Sequence, residues 1–418
     1  MSMAFLALFI TLIFLYTLIS ARLERTVLTA PIIFTAAGMA ALLFLPELRH
    51  WKAEHEVFLR VAEAGLVLLL FTDASRTDLR LLRSLLTLPA RLLSLGMLLT
   101  ILLGTVFAVL VFPQFTLWEA GILSAILAPT DAGLGQIIVN SSRVPMRIRQ
   151  ALNVEAGLND GLSVPFLLFF ITLTEAGIEG PRASFVRFIV EQLGYGVAIG
   201  LLIGLAAGWL LGLACRRKWI AEAFLQLGVV AVPLLCAVAS EAAAASMFIA
   251  AFVAGLAVQV GYKEAGKHSV EFTEGWGQML NLAIFMLFGM AVVRDWSSWT
   301  PLLMVYAALS LTVVRMLPVA MALIGTRLSP ATVLFMGWFG PRGLASIVLG
   351  MVYLEHAGNE MCGPTIRSAV TVTVWLSIFA HGLSALPGLR LYAARIAALD
   401  PGAPEHQDVG PKAAGCEP

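Results

Sequence analysis

Acids, arginines and amides stand in stretches of this chain that are otherwise apolar. Glu63 and Asp73 share one such stretch, Thr130 and Asp131 another, and Glu155, Asn159 and Asp160 a third; Arg315, Arg342 and His381 occupy three more towards the C-terminal end. A charge at the centre of a membrane helix costs about 2.5–3.5 kcal/mol on insertion scales, so five such groups would cost roughly 15 kcal/mol, comparable to the whole stability of a typical protein. They must be paired, protonated or facing water. A buried acid with a cation partner nearby can hold a metal ion or a proton, so the chemistry on offer is ion binding.

Spacing sorts the roles within the third stretch. Glu155 and Asn159 are four residues apart and share a helix face. Asp160 is five residues from Glu155, about 140° around the helix, so the two carboxylates need not compete for one ion. Glu155 can pair with an arginine on one side while Asp160 faces a cavity on the other. At 1.5 Å per residue, Asp160 lies roughly 13 Å from the start of its span, Arg315 roughly 13 Å from the matching end of its own, and Asp131 roughly 10 Å. A network of structural salt bridges accounts for Glu155 with an arginine, but not for Asp160 and Asp131 together. His381, beside Gly382, reads as a residue hydrogen-bonded in the core, with tuning of the pH response as the alternative.

Two of the stretches carry helix breakers. One reads Leu127-Ala128-Pro129-Thr130-Asp131-Ala132-Gly133-Leu134-Gly135, the other Gly337-Trp338-Phe339-Gly340-Pro341-Arg342-Gly343. Proline removes a backbone donor and glycine loosens the helix, so both spans are expected to be interrupted, freeing carbonyls and half-helix ends as ion ligands or charge stabilisers. Paired interrupted spans in corresponding halves of a chain point to a transporter binding site.

The elements that must position these groups are membrane helices. The chain has 418 residues, 59% of them hydrophobic and only 13% charged, with mean hydropathy +0.89. That is too little polar surface for a water-facing globule, and a net charge of +1 offers no basic stripe for nucleic acid. Cys215, Cys236, Cys362 and Cys416 lie far apart, with no metal-binding or disulfide spacing. Apolar runs long enough to cross a bilayer predict an all-α integral membrane protein of about 13 spans, near 3–20, 28–45, 56–75, 88–112, 117–138, 150–174, 185–213, 220–240, 245–262, 276–294, 301–324, 330–354 and 366–392. The first run lacks a basic start and reads as a retained helix rather than a leader. Residues 401–418 form a short polar tail. The two interrupted spans are the middle members of two triplets running in opposite senses, an inverted repeat. Basic residues gather in alternate loops (Arg22 and Arg25; Arg76, Arg80 and Arg83; Arg143, Arg147 and Arg149; Arg216, Arg217 and Lys218), with Arg49 and Lys52 in the weak case between residues 46 and 56. This places the N-terminus outside and the C-terminus in the cytoplasm. Gly196, Gly200, Gly204, Gly208 and Gly212, each four apart, form a stripe for close helix packing.

At these residues the chain resembles the sodium/proton exchangers, in particular the NhaP-like branch of the cation:proton antiporters. The matching stretches are Leu70-Phe71-Thr72-Asp73-Ala74, Pro129-Thr130-Asp131, Asn153 to Asp160, Gly340-Pro341-Arg342-Gly343 and His381-Gly382, in the family's order across nearly the whole chain. The resemblance implies a homodimer in the inner membrane, with a mobile core (about 88–174 and 301–392) beside dimerisation helices (about 1–75 and 220–294) and a linking helix (about 185–213). It implies that Asp160 binds Na+ or a proton, with Thr130 and Asp131 as partners on the unwound span, and that Glu155 is neutralised by Arg315 or Arg342. Asp73 then sits at the edge of the ion cavity, and Asn159 in place of an aspartate marks the electroneutral branch. Two departures bear on selectivity. Ala132-Gly133 follows the Thr-Asp pair where many relatives have proline, and Ala156 follows Glu155 where many have serine.

The expected activity is exchange of Na+ (or Li+) for H+ by alternating access, with no cofactor and no enzymatic step. A K+/H+ antiporter shares every feature, and a cation channel is the reading from another class.

Overall fold

A computed structural model describes residues 3–23, 26–45, 48, 55–76, 88–139, 141–175, 194–262, 269–356, 362–400 and 402–406. The sequence expectations for Arg25, Arg49, Lys52, Arg80, Arg83, Cys416 and the first part of the 185–213 span lie outside these residues. The described elements are helical: α1 Met3–Leu23, α2 Ala30–Phe44, α3 His55–Arg76, α4 Leu88–Val111, α5 Leu117–Ile126, α6 Ala132–Val139, α7 Met146–Glu175, α8 Gly196–Arg216, α9 Glu222–Ala242, α10 Met247–Gly261, α11 Ser269–Asp295, α12 Pro301–Leu311, α13 Val313–Ala322, α14 Pro330–Trp338, α15 Leu344–His356 and α16 Gly363–Ala397.

Local chemistry sets the ends. Thr116 and Glu119 form a reciprocal capping box at the start of α5, with Thr116 N–H donating to Glu119 at 2.7 Å and Glu119 N–H to the Thr116 hydroxyl at 3.2 Å. Ser329 caps α14, and prolines open α12 and α14 at positions that need no donor. Both expected interruptions occur. α5 stops at Ile126 before Pro129, and α14 stops at Trp338 before Pro341. A further break was not foreseen: the 301–324 span splits at Thr312, whose ψ of −88° departs from the helix. α4 also contains a five-residue π-helical turn, Leu92–Gly96, after its first α-helical turn Leu88–Arg91.

The glycine stripe packs as expected. All five of its glycines are buried, and α8 lies so close to α10 that a Cβ on Gly204 would come within 2.7 Å of the Ala254 Cα. A Cβ on Gly208 would strike the Val258 carbonyl oxygen. On α1, by contrast, Phe5 and Phe9 are the buried residues, while Ile10, Phe14, Leu15 and Leu18 face outward. Among the described residues Cys215, Cys236 and Cys362 are free thiols.

Candidate ion site

The two interruptions lie against each other and complete each other. α5 ends with carbonyls that lack helical donors, and a cation suits such an end. Arg342, from the other interruption and fully buried, supplies it: its Nη1 donates to the Ala128 carbonyl at 2.6 Å and the Pro129 carbonyl at 3.0 Å. α15 begins with unpaired N–H groups, and an anion suits that end. Asp131 supplies it, accepting the Leu344 N–H at Oδ2 (2.8 Å). Its Oδ1 caps α6 by accepting from Gly133 (2.7 Å) and Leu134 (3.3 Å). The Asp131 N–H donates to the Pro341 carbonyl at 2.7 Å, and Ser377 of α16 accepts the Arg342 N–H at 2.7 Å.

The Gly-Pro-Arg-Gly stretch follows from this geometry. A Cβ on Gly343 would collide with Asp131 Oδ2, and one on Gly340 would collide with the Arg315 guanidinium. Either glycine gives way to a side chain only by displacing a charge.

Glu155 and Arg315 form the buried ion pair, at 2.6 Å, both under 5% exposed. Of the two arginines left open by the sequence, Arg315 is therefore the partner of Glu155, and Arg342 serves the carbonyls of the crossing. Thr130, Asp131, Glu155 and Ala156 line a cavity of about 20 Å³, room for one water-sized species. Asp160 does not line it.

Asn159 ties α7 to the unwound segment, its Nδ2 donating to the Thr130 hydroxyl at 2.6 Å. Asp160 is half-buried. Its Oδ1 is enclosed and accepts no hydrogen bond from any described residue. Around it, Asp73 of α3 stands against Gly157, its Cβ 3.5 Å from where a side chain would begin, and Phe252 of α10 stands against Gly161 at 2.8 Å by the same measure. Asp73 and Phe252 thus flank the turn of α7 that carries Asp160.

Two other polar residues sit elsewhere. Glu63 lies about 15 Å along α3 from Asp73, beside Arg60 at 3.5 Å, which also pairs with Glu241 at 3.0 Å. His381 is buried, as the sequence suggested, with Nδ1 3.0 Å from the Ser377 carbonyl and its ring 4.9 Å from that of Trp338. Sequence reasoning missed Asn281 of α11, whose Nδ2 lies 3.8 Å from the Cβ position of Gly133. The signal was present: from Met279 to Val293, Asn281 is the sole hydrogen-bonding side chain. It also missed Glu405, which reaches back from the tail. Glu405 is buried and its Oε1 accepts from the Ser329 N–H (2.7 Å) and the Thr332 hydroxyl (2.9 Å) at the start of α14.

A multi-span helical membrane protein whose two interrupted spans exchange opposite charges is the class that this fold and site define. Residues 8–387 match the model of the family described as "Sodium/hydrogen exchanger, transmembrane", and the chain belongs to that family. It is 26% identical over 313 residues to a Na(+)/H(+) antiporter of Schizosaccharomyces pombe, covering 66% of each chain. It is 25% identical to the K(+)/H(+) antiporter NhaP of Alkalimonas amylolytica, covering 71% of this chain and 51% of that one. The chain spans about half to two thirds of the length of these curated relatives. In fold it matches the solved structure of the sodium proton antiporter MjNhaP1 from Methanocaldococcus jannaschii, with a TM-score of 0.75 and 18% identity over 95% of this chain and 99% of that one.

Proposed function

We propose that this protein exchanges a monovalent cation, Na+ or Li+, for H+ by alternating access, with Asp160 as the shared binding group. One observation carries the reading. Glu155 is held by Arg315, and Asp131 by three backbone N–H groups, whereas Asp160 keeps an enclosed oxygen with no hydrogen-bond donor among the described residues.

Sodium is a hard cation and takes oxygen ligands. It binds ionised Asp160 with help from Thr130, Asn159, the remaining lone-pair capacity of Asp131, Asp73 at the cavity edge, and carbonyls of the unwound segment. A proton on the same carboxylate excludes it. Loaded with either species, the carboxylate can pass apolar surface; bare and charged, it is held back by the cost of desolvation. Exchange then follows from mutual exclusion, without a separate gate. The Glu155–Arg315 pair and Arg342 are structural.

The moving body is the core at about 88–174 and 301–392. It works against a homodimerising scaffold at about 1–75 and 220–294, joined by the 185–213 helix. The outward apolar face of α1 suits lipid or a second copy, and the glycine-backed contact of α8 with α10 suits a rigid scaffold. The basic loops support an inner-membrane protein with its N-terminus outside and C-terminus in the cytoplasm.

The test uses everted vesicles. Asp160→Asn should abolish sodium-driven proton movement, and transport at the wild-type level would remove Asp160 from the mechanism. A K+/H+ antiporter is the second reading, favoured by the similarity to K+/H+ antiporters. Reconstitution in liposomes with a pH dye, adding Na+, K+ and Li+ in turn with and without collapse of the membrane voltage, separates the two and reads electroneutrality.

A further inference from the structure

We infer that Asn281 is a specificity-determining residue of the exchange site, supplying a neutral oxygen to the transported cation from α11. The inference rests on the proposed ion site and adds a ligand that the family motifs do not contain.

Asn281 lies on α11, a helix assigned above to the scaffold, in a run from Met279 to Val293 where every other side chain is apolar or absent. Its Oδ1 is enclosed and accepts no hydrogen bond from any described residue. Leaving a buried polar atom unpaired costs about 1–3 kcal/mol, so the carboxamide is an expensive choice for filling space between helices, where leucine would serve. Its surroundings show what it can serve. Asn281 Nδ2 stands 3.8 Å from the Cβ position of Gly133, and the Gly133 N–H is the donor that holds Asp131 Oδ1 at 2.7 Å. Asn159 approaches the same unwound segment from α7 through Thr130 at 2.6 Å, and it too keeps an enclosed oxygen without a donor. Two carboxamides thus approach residues 130–133, one from α7 of the proposed core and one from α11 of the proposed scaffold.

The chemistry of an amide sets its role apart from that of the carboxylate. An amide oxygen coordinates a hard cation but does not take up a proton in the working pH range, so it can favour the metal ion without favouring its competitor. Removing it should weaken cation binding and alter the order of preference among Na+, K+ and Li+, with the effect falling on KM rather than on maximal rate.

The experiment compares wild type, Asn281→Ala and Asn281→Asp in proteoliposomes, measuring KM and maximal rate for each of the three cations at several pH values, with Asp160→Asn in parallel. For Asn281→Ala the expected result is a rise in KM of about fivefold for the preferred cation, the size of one neutral polar contact, and a changed selectivity ratio. Asn281→Asp, of nearly the same shape, should restore cation affinity and move the pH profile, because the new oxygen also binds protons. KM values for all three cations within twofold of wild type in Asn281→Ala would overturn the inference. Should that variant fail to fold, an unchanged KM and pH profile in Asn281→Asp would overturn it equally. Transport by Asp160→Asn would instead defeat the site reading, whatever Asn281 does.

Discussion

Removing Arg315 while Glu155 stays would leave a carboxylate under 5% exposed with its 2.6 Å partner gone. Breaking a buried pair from one side typically costs about 3–5 kcal/mol, whereas replacing both members by apolar groups of similar volume is often neutral or stabilising. Arg315→Met and Glu155→Met should therefore each lower stability by about 3–5 kcal/mol. The double variant should lose much less than either, so that the coupling between the two sites is at least about 3 kcal/mol. The measurement is the apparent melting midpoint of purified protein in detergent, followed by intrinsic tryptophan fluorescence, with exchange assayed on the fraction that remains folded. Both single variants should melt early, and the double variant should melt near wild type and still exchange ions. A double variant that falls by the sum of the singles would refute the pairing. A stable double variant with no exchange would refute its purely structural role.

Other outcomes follow from the same geometry. Gly343→Ala, whose methyl would displace Asp131 from the start of α15, should cost about 1–3 kcal/mol and depress exchange strongly, read by melting and by vesicle transport. Gly208→Leu should force α8 away from the Val258 backbone and reduce the yield of folded protein in size-exclusion chromatography. At Glu405 burial opposes ionisation, but the Ser329 N–H and the Thr332 hydroxyl outweigh it and hold the carboxyl below its ordinary range. Its contribution to stability is then present above the ordinary glutamate value and is lost as pH falls through the lowered one. Glu405→Ala should accordingly melt lower at neutral pH and lose less than wild type on acidification, and parallel slopes for the two proteins would show that the contact is not electrostatic.

The membrane class, the order of spans and the two interruptions were legible because hydropathy and proline act locally. The acidic and basic residues stood out because an apolar solvent makes each of them costly. What could not be read was which charge meets which. Arg315 and Arg342 are equivalent in hydropathy, and only the crossing geometry sends one to Glu155 and the other to the carbonyls of Ala128 and Pro129. The employment of Asp131 was hidden for the same reason: Leu344, whose N–H it accepts, is 213 residues away. The break at Thr312 carried no proline or glycine of its own, although Pro318 lies six residues on. Asn281 was passed over because a single amide in an apolar run is a weak signal beside a cluster of acids, and Glu405 because a short polar tail gives no sign of where it folds back.

The mutual completion of the two crossings constrains how the chain is made. When Asp131 and the carbonyl of Ala128 leave the ribosome, the groups that satisfy them, Leu344 N–H and Arg342, are still more than 200 residues from synthesis. At roughly 5–20 residues per second the interval is roughly 10–40 s. Through that time the segment between α5 and α6 holds an acid and bare carbonyls that the lipid interior does not tolerate, so it must stay hydrated or sheltered by the insertion machinery. Its final seating in the bilayer waits for the segment between α14 and α15 to arrive, which makes assembly of the protein a late, cooperative event rather than a helix-by-helix one.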